Sequence, residues 1–351
     1  MRLPFGLCVS VPLRSWDPRR VEAVSRRPGI VALEVRLDLG RARSIPARWD
    51  GPLPVVATCR PVREGGAFEG PEEERLELLA AAAGHGARWI DLEADSRVPT
   101  SLARVPTILS RHEVEGPSRV VEGLARWTSV VRSRLVPPVA VKWVVRGDDA
   151  ESLRTLREWI ALNPADALGC DWILFGAGPS TGVASRVLSL SLGGRWAYVA
   201  LDEGSRTAPG QPTLDRFLAD FGPPSPEPPR ALYGVTGRDV SSSASPAMHN
   251  AWLRARGAGL YLPVSQDRWD LSWAAEAGFA GLNVTIPFKE HAAAVGDADG
   301  EARAIGAANL LAAVSSGGPW RASNTDATGR TRVHGLWRAR VGEGDAALVL
   351  G

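Results

Sequence analysis

Two side chains stand apart by type. Lys and Arg total 41, and Lys142 and Lys289 are the only lysines, which leaves 39 arginines. A composition rich in Ala, Arg, Gly and Pro uses Arg wherever either cation serves. A retained lysine then draws attention to chemistry a guanidinium does not perform near neutral pH, namely losing a proton on desolvation and attacking a carbonyl; survival of the two by chance is the plainer reading. Lys142 sits in Val139-Ala-Val-Lys-Trp-Val-Val145, where apolar neighbours on both sides would desolvate its ammonium and favour the neutral amine. Such an amine can form an imine with a ketone, which then acts as an electron sink for a neighbouring carbanion. A lysine paired to a carboxylate is the plainer alternative. His112 ends an apolar run and titrates near neutrality, which suits a general acid/base, or it is a structural histidine at a strand end. Glu64 follows Arg60 by four residues and is either the group that orients that imidazole or a solvated loop carboxylate. Arg36, Arg60 and Arg186 have the planar fork that clamps a carboxylate or hydroxyls, although among 39 arginines each is by default a surface charge.

A second constellation lies further along. Ser241-Ser-Ser-Ala-Ser245-Pro246 opens a helical pattern, with Ser245 expected as N-cap and Pro246 at the first helical position. Serine hydroxyls at a helix N-terminus suit a carboxylate, and plain capping is the alternative. In Asn283-Val-Thr285-Ile-Pro287-Phe-Lys289-Glu290, period-two alternation brings Asn283 and Thr285 to one face of a strand. Lys289 follows at once, and Asn324-Thr-Asp326 is the next polar cluster. Lys289 and Asp326 could share a proton with a substrate hydroxyl, or form a surface ion pair, or not meet.

These residues need elements to place them. Over the first 220 residues, eight apolar runs of β type alternate with helical patterns such as Glu72–Ala83 and Ala150–Leu162. The runs are Leu7–Leu13, Ile30–Leu39, Pro54–Arg60, Ala87–Ala94, Val105–His112, Val139–Val145, Asp171–Gly178 and Ala197–Asp202. That alternation predicts a (β/α)8 barrel, with a doubly wound sheet as the other possibility. In a barrel the chemistry sits at the C-terminal strand ends, which here offer Glu34, Arg36, Arg60, Asp91, Glu93, His112 and Lys142. Polar groups on apolar strands are costly to bury singly, so a shared site is expected. Gly222-Pro-Pro-Ser-Pro-Glu-Pro-Pro229 is a stiff spacer, so the expected division is 1–222, linker 223–229 and 230–351. After it the β/α alternation restarts with Ala231–Thr236, a helix at Ser245–Arg256, Gly259–Pro263, a helix near Leu271–Ala277, Gly281–Ile286 and a helix at Glu301–Ile305. Asp345–Gly351 reads as a strand ending in Gly, where a dinucleotide-binding unit would make its Gly-rich turn.

Bulk properties bound the partners. A 351-residue chain with 44% hydrophobic and 23% charged residues is ordinary for two or three globular domains. A net charge of +2 with scattered arginines does not suggest nucleic acid. The odd, widely spaced Cys8, Cys59 and Cys170 argue against a disulfide framework and a metal site and fit a reducing compartment. No apolar run spans a bilayer, and Phe5–Leu13 reads as a strand rather than a signal core. A cytoplasmic location is expected, and no oligomeric state follows.

The first set, Glu34-Val-Arg36-Leu-Asp38, Thr58-Cys-Arg60-Pro with Glu64-Gly-Gly, Ser110-Arg-His112, Val141-Lys142, Ser185-Arg186 and Ala208-Pro-Gly-Gln211-Pro, occurs in an order that resembles type I 3-dehydroquinate dehydratases over residues 5 to 220. The resemblance implies a TIM barrel that dehydrates 3-dehydroquinate to 3-dehydroshikimate without metal or organic cofactor. It implies that Lys142 forms the imine at the C3 ketone. His112, assisted by Glu64, would remove the C2 proton and help the C1 hydroxyl leave. Arg186 and Gln211 would hold the carboxylate, while Glu34, Arg36 and Arg60 contact hydroxyls. Thr207 stands where that family often has Ser, and Arg111 is bulky for its position.

The second set, Ser243-Ala-Ser245-Pro246 with His249-Asn250, Asn283–Glu290, Ile305-Gly-Ala-Ala-Asn309 and Asn324-Thr-Asp326 with Gly329, resembles the substrate domain of shikimate dehydrogenases from about 231 to 351. It implies Ser243 and Ser245 on a carboxylate and Asn283, Thr285, Asn309 and Asp326 on ring hydroxyls. Lys289 and Asp326 would be catalytic in the reduction of 3-dehydroshikimate to shikimate by NADPH. Asp239 and Ser242 replace the Pro and His usual in the serine loop. The NADP turn would start at Gly351, so this half is expected to bind substrate weakly and not to transfer hydride. The order of the two halves resembles bifunctional plant enzymes of the shikimate pathway toward aromatic amino acids. A non-catalytic ligand-binding regulator and a class I aldolase-type barrel are the alternative readings, and quinate is an alternative substrate of the second half.

Overall fold

The computed structural model describes residues 2–40, 45–46, 48–49, 51–113, 120–146, 150–179, 181–295, 297–315 and 319–327. Eight parallel strands form one sheet: β1 (Gly6–Pro12), β2 (Ile30–Arg36), β3 (Val55–Thr58), β4 (Trp89–Glu93), β5 (Thr107–Glu113), β6 (Ala140–Arg146), β7 (Asp171–Ala177) and β8 (Trp196–Ala200). The order β7-β6-β5-β4-β3-β2-β1-β8 curls the sheet into a barrel. Its one unladdered seam lies between β7 and β8, where the Arg195 N–H donates to the Trp172 carbonyl at 3.1 Å. Helices α1 (Pro18–Ser25), α2 (Glu72–Gly84), α3 (Val120–Arg132), α4 (Glu151–Ala161), α5 (Pro164–Leu168), α6 (Gly182–Ser191) and α7 (Leu214–Phe221) connect or follow the strands. Local signals set the termini: Asp17 accepts from the Arg19 N–H ahead of Pro18, and Thr213 caps α7.

Strands covered on both faces read as continuous apolar runs, and the exceptions fall on the inner face. Cys8, Val56, Trp89, Ile108, Ala140, Ile173 and Trp196 fill the barrel floor. Two residues further toward the C-terminal end, the inner face carries Ser10, Thr58, Asp91, Ser110, Lys142, Phe175 and Tyr198, all buried. The period-two pleat thus turns a dry floor into a polar layer within one step.

That pleat also corrects an expectation about Lys142. Its sequence neighbours Val141 and Trp143 belong to the outer core under the helices, while Ala140 and Val144 share its inner face. Val141 and Trp143 therefore lie across the sheet from the amine, and Ala140 and Val144 are the apolar residues of that segment on its own face. In the outer layer Trp159 of α4 meets Trp143 and Trp172 edge to face, with ring centroids 6.1 and 5.5 Å away.

Residues 222–231 carry no helix or strand. A mixed six-stranded sheet follows in the order β10-β9-β11-β13-β14-β12. Its strands are β9 (Leu232–Gly237), β10 (Leu260–Ser265), β11 (Phe279–Val284), β12 (Asp297–Ala298), β13 (Leu310–Ala313) and β14 (Trp320–Ser323), and its helices are α8 (Ser245–Arg256), α9 (Ser272–Glu276), α10 (Lys289–Ala294) and α11 (Gly300–Ile305). The antiparallel pair β13–β14 is absent from the sequence reading, because two four-residue strands give too short a pattern to separate from loop. A further correction concerns α8. Ala244, not Ser245, occupies its cap position, and no side chain caps it. Ser243 Oγ instead accepts from the Ser245 N–H at 3.2 Å. The two sheets meet where α7 packs on α8, and Arg216 of α7 donates to the Ser243 carbonyl at 3.0 Å. Among the described residues, no helix is long and apolar enough to cross a membrane.

Trp159 is 1% exposed and ties α4 to two strands, so Trp159→Ala is expected to destabilise the chain by about 3–5 kcal/mol, read as a shift of the denaturant midpoint. A shift below about 1 kcal/mol would show that the outer tryptophan layer does not hold the β6–β7 wall.

Candidate active sites

The first site is built from the top of the barrel. Glu34, Arg36, Arg60, Glu64, His112, Lys142, Arg186, Thr207 and Gln211 all line one cavity of about 390 Å³, while Asp91 and Glu93, also offered by the strand ends, are buried and do not line it. Lys142 Nζ lies 3.0 Å from Asp91 Oδ2 and 3.5 Å from Glu34 Oε1, and 4.1 Å from the centroid of the Tyr198 ring. The ion pair that the sequence left as an alternative is thus present, inside the cavity rather than in place of it.

Asp91 is fully buried and shared. Its Oδ1 accepts from Arg60 Nη2 at 2.7 Å and from Ser110 Oγ at 2.5 Å. Burial alone would raise its pKa, but Arg60 and Lys142 outweigh that and hold its carboxyl well below the usual carboxylate range. Arg60 Nη1 also reaches Glu93 Oε1 at 2.6 Å and Ser110 Oγ at 2.8 Å. Glu34 accepts from Ser10 Oγ at 2.6 Å and Thr58 Oγ1 at 3.0 Å. The buried carboxylates Asp91 and Glu34 are thereby supplied with donors, as burial demands.

On the rim, Glu64 Oε2 accepts from the His112 N–H at 3.0 Å and stands 3.2 Å from His112 Nδ1. This fixes the ring, so Glu64 is a partner of the imidazole and not a solvated loop residue. Burial pushes the Glu64 carboxyl up to about 7 against the pull of Arg60. Burial, with Arg60 and Lys142 nearby, lowers the His112 pKa well below its ordinary value, which leaves a neutral imidazole able to accept a proton.

Arg186 forms the opposite wall. It is 1% exposed and donates to the carbonyls of Gly182 at 2.8 Å and Gly210 at 3.0 Å, and no carboxylate among the described residues pairs with it. Burial without a facing anion draws its guanidinium down to about 9, still protonated at neutral pH. An unneutralised buried cation is a site for an anionic group of a ligand. The loop that approaches it is drawn in tightly: Gly210 has φ +62, and a Cβ there would fall 1.8 Å from the Gly178 carbonyl oxygen. Gln211 accepts from the Thr207 N–H at 2.8 Å and donates to Ser10 Oγ at 3.0 Å. Arg36 is forked onto Asp38 at 2.7 and 2.9 Å and reaches the Thr207 carbonyl at 3.3 Å.

Ser10, Phe175 and Tyr198 line the cavity too and were not singled out in the sequence. Ser10 had a signal, as a lone hydroxyl at an inward position of an apolar strand. Phe175 and Tyr198 had none, since aromatic side chains on buried strands are ordinary core.

In the second half the expected residues fall into small linked groups. Lys289 Nζ, at the start of α10, contacts Asp326 Oδ2 at 2.6 Å, and Asn309 donates to Asp326 Oδ1 at 2.7 Å. Asn309 also accepts from the Thr325 N–H at 2.8 Å. Asn283, near the end of β11, accepts from the Tyr261 hydroxyl at 2.6 Å, a partner the sequence reading missed. Ser243 and Ser245 stand together at the start of α8. The Thr285 N–H donates to the Thr236 carbonyl, holding Thr285 beside the end of β9. Gly329 and Gly351, the latter the expected dinucleotide contact, lie outside the described residues.

Known proteins carry the same two patterns. The family model of type I 3-dehydroquinase matches residues 7–218, more than half of the chain, and that of the shikimate dehydrogenase substrate binding domain matches residues 235–311. A bifunctional 3-dehydroquinate dehydratase/shikimate dehydrogenase, chloroplastic, of Arabidopsis thaliana is 29% identical over 350 residues, covering 93% of this chain and 55% of the relative. The chain therefore spans about half the length of that relative. A 3-dehydroquinate dehydratase of Desulfotalea psychrophila is 34% identical over 225 residues, covering 61% of this chain and 96% of that protein. The solved dehydroquinate dehydratase and shikimate dehydrogenase structure from S. pombe AroM shares the fold with a TM-score of 0.50 at 20% identity, over 94% of this chain and 66% of that one. On the match of residues 7–218, the chain belongs to the type I 3-dehydroquinase family.

Proposed function

We propose that the barrel dehydrates 3-dehydroquinate to 3-dehydroshikimate through an imine on Lys142, and that the second domain, 230–351 after the linker 223–229, holds the product as a shikimate dehydrogenase substrate domain. The observation that carries this reading is one cavity presenting a lysine amine, a neutral imidazole braced by a carboxylate, and a buried arginine free of any described carboxylate.

The ion pair between Lys142 and Asp91 opens as substrate enters, and the amine attacks the C3 ketone with loss of water. Arg186 takes the substrate carboxylate, assisted by Gln211, which sets the ring across the cavity. His112 removes the C2 proton. The electron pair flows into the C=N bond to give an enamine, which expels the C1 hydroxyl as water with a proton returned from His112. Hydrolysis of the imine releases the enone and regenerates the amine. Glu34, Arg36 and Arg60 hold ring hydroxyls, and Thr207 supplies a hydroxyl beside Gln211.

In the second domain, Ser243 and Ser245 would take the carboxylate and Asn283, Thr285 and Asn309 the hydroxyls, while Lys289 and Asp326 pass a proton to or from the reacting oxygen. Reduced NADP would supply the hydride in the complete dehydrogenase. Three free cysteines, two of them buried, fit a cytoplasmic setting. A regulator that only binds ligand would have no use for a base braced by Glu64 in the cavity that holds Lys142. The match of residues 7–218 to the type I 3-dehydroquinase model favours the dehydratase over an aldolase-type barrel.

Borohydride added during turnover of 3-dehydroquinate should trap an adduct on the Lys142 peptide, located by mass spectrometry, and Lys142→Arg should abolish both adduct and dehydration. Dehydration that survives in Lys142→Arg rules the imine out. Because Glu64 carries its proton below about pH 7, the charge bracing His112 is lost as pH falls, so kcat should decline toward acid through that pH. Glu64→Gln should lower kcat by about tenfold to a hundredfold and flatten this limb; an unchanged limb in that variant would assign it to another group. For the second domain, Asn283→Ala should weaken shikimate binding by about tenfold in calorimetry while dehydration is unchanged. Equal binding by both proteins would remove Asn283 from the site.

A further inference from the structure

One buried cation in the barrel has no part in the chemistry above. Arg75 is on α2, outside the strands, and is 0% exposed. Its Nη1 donates to the Cys59 carbonyl at 3.0 Å, its Nη2 to Ser96 Oγ at 2.9 Å, and its Nε and Nη2 to Glu72 at 2.8 and 2.7 Å. Nη1 also lies 2.5 Å from Glu93 Oε2. That oxygen has no hydrogen-bond donor among the described residues, so the link between Arg75 and Glu93 is one of charge and not of hydrogen-bond geometry. Glu93 Oε1 is held by Arg60, and Arg60 in turn holds Asp91, which holds Lys142. A line of alternating charges runs from the helix layer through the barrel wall to the amine.

We propose that Arg75 is a positioning residue for the dehydration: by neutralising Glu93 from outside the barrel, it leaves Arg60 shared between Glu93 and Asp91, and so keeps Asp91 from closing fully on Lys142. The proposal rests on the imine mechanism above. Groups facing Glu93 are Arg60 and Glu64 from the segment after β3, Asp91 from its own strand and Arg75 from α2. Without Arg75, the one remaining cation paired with Glu93 among the described residues is Arg60. The guanidinium is then drawn to Glu93, Asp91 loses a partner, and the ion pair that must open before attack tightens.

The test is a double-mutant cycle read by the pH profile of kcat/KM and by thermal melting. Arg75→Met is expected to move the acid limb of kcat/KM to higher pH and to lower kcat/KM at neutral pH by about tenfold or more. Adding Glu93→Gln to that variant removes the uncompensated charge and should return the limb toward its original position. A limb that does not move in Arg75→Met, or that moves and is not restored by Glu93→Gln, overturns the proposal, because lost packing would not be repaired by a change of charge at Glu93. If Arg75→Met does not fold, Glu93→Gln alone is compared with the double variant. Equal profiles support the charge role, and a further loss on removing Arg75 overturns it. Borohydride trapping on Lys142 in the unsubstituted protein keeps the two questions apart. Its failure would remove the imine mechanism itself, whereas the Arg75 series bears on positioning alone.

Discussion

The barrel's chemistry depends on how one carboxylate is shared. Asp91 is buried with no water-facing side, and it is held at once by Arg60, Ser110 and Lys142. An isolated charge at that depth is prohibitive, so the inner layer must bring cations to it. The same requirement places Lys142 where a ligand can reach it. Glu34 on one side and the Tyr198 ring on another complete the surroundings of the amine. Asp91 and Glu34 are thus satisfied internally, and the layer still opens onto a cavity walled in part by an arginine with no facing anion among the described residues.

Much of this was legible from residue types at strand ends. The eight strands lie where the apolar runs put them, because buried parallel strands give continuous patterns. Glu34, Arg36, Arg60, His112 and Lys142 converge because residues two apart on such a strand face inward together. What remained hidden was whatever depends on facing rather than on order. The adjacent Val141 and Trp143 read as part of the environment of Lys142, yet they belong to the other side of the sheet. Tyr198 and Phe175 look like core until the barrel closes around them. Tyr261 gave no sign that its hydroxyl would reach Asn283, since that contact joins β10 to β11 across β9.

The second half shows a different balance. Its motifs sit on short elements, and its linked groups draw on the starts of α8 and α10, the end of β11 and the segment after β14. Capping was misread there: Ser245 lies inside the helix, and Ser243 does the bonding from the turn before it. Lys289 and Asp326 were paired by residue type alone, and the structure joins them through Asn309 as well. Three polar groups from separate elements thus meet at Asp326, an arrangement that residue type alone did not show.

The scarcity of lysine has a practical consequence. One of the two ε-amines is 5% exposed at the bottom of a ligand cavity, and the other is 35% exposed beside a carboxylate. The remaining cations are guanidiniums, which acylating reagents leave untouched at neutral pH. A reagent that reacts with side-chain amines therefore finds almost no background on this surface. Its pattern of labelling becomes a direct record of which of the two lysines a ligand shields.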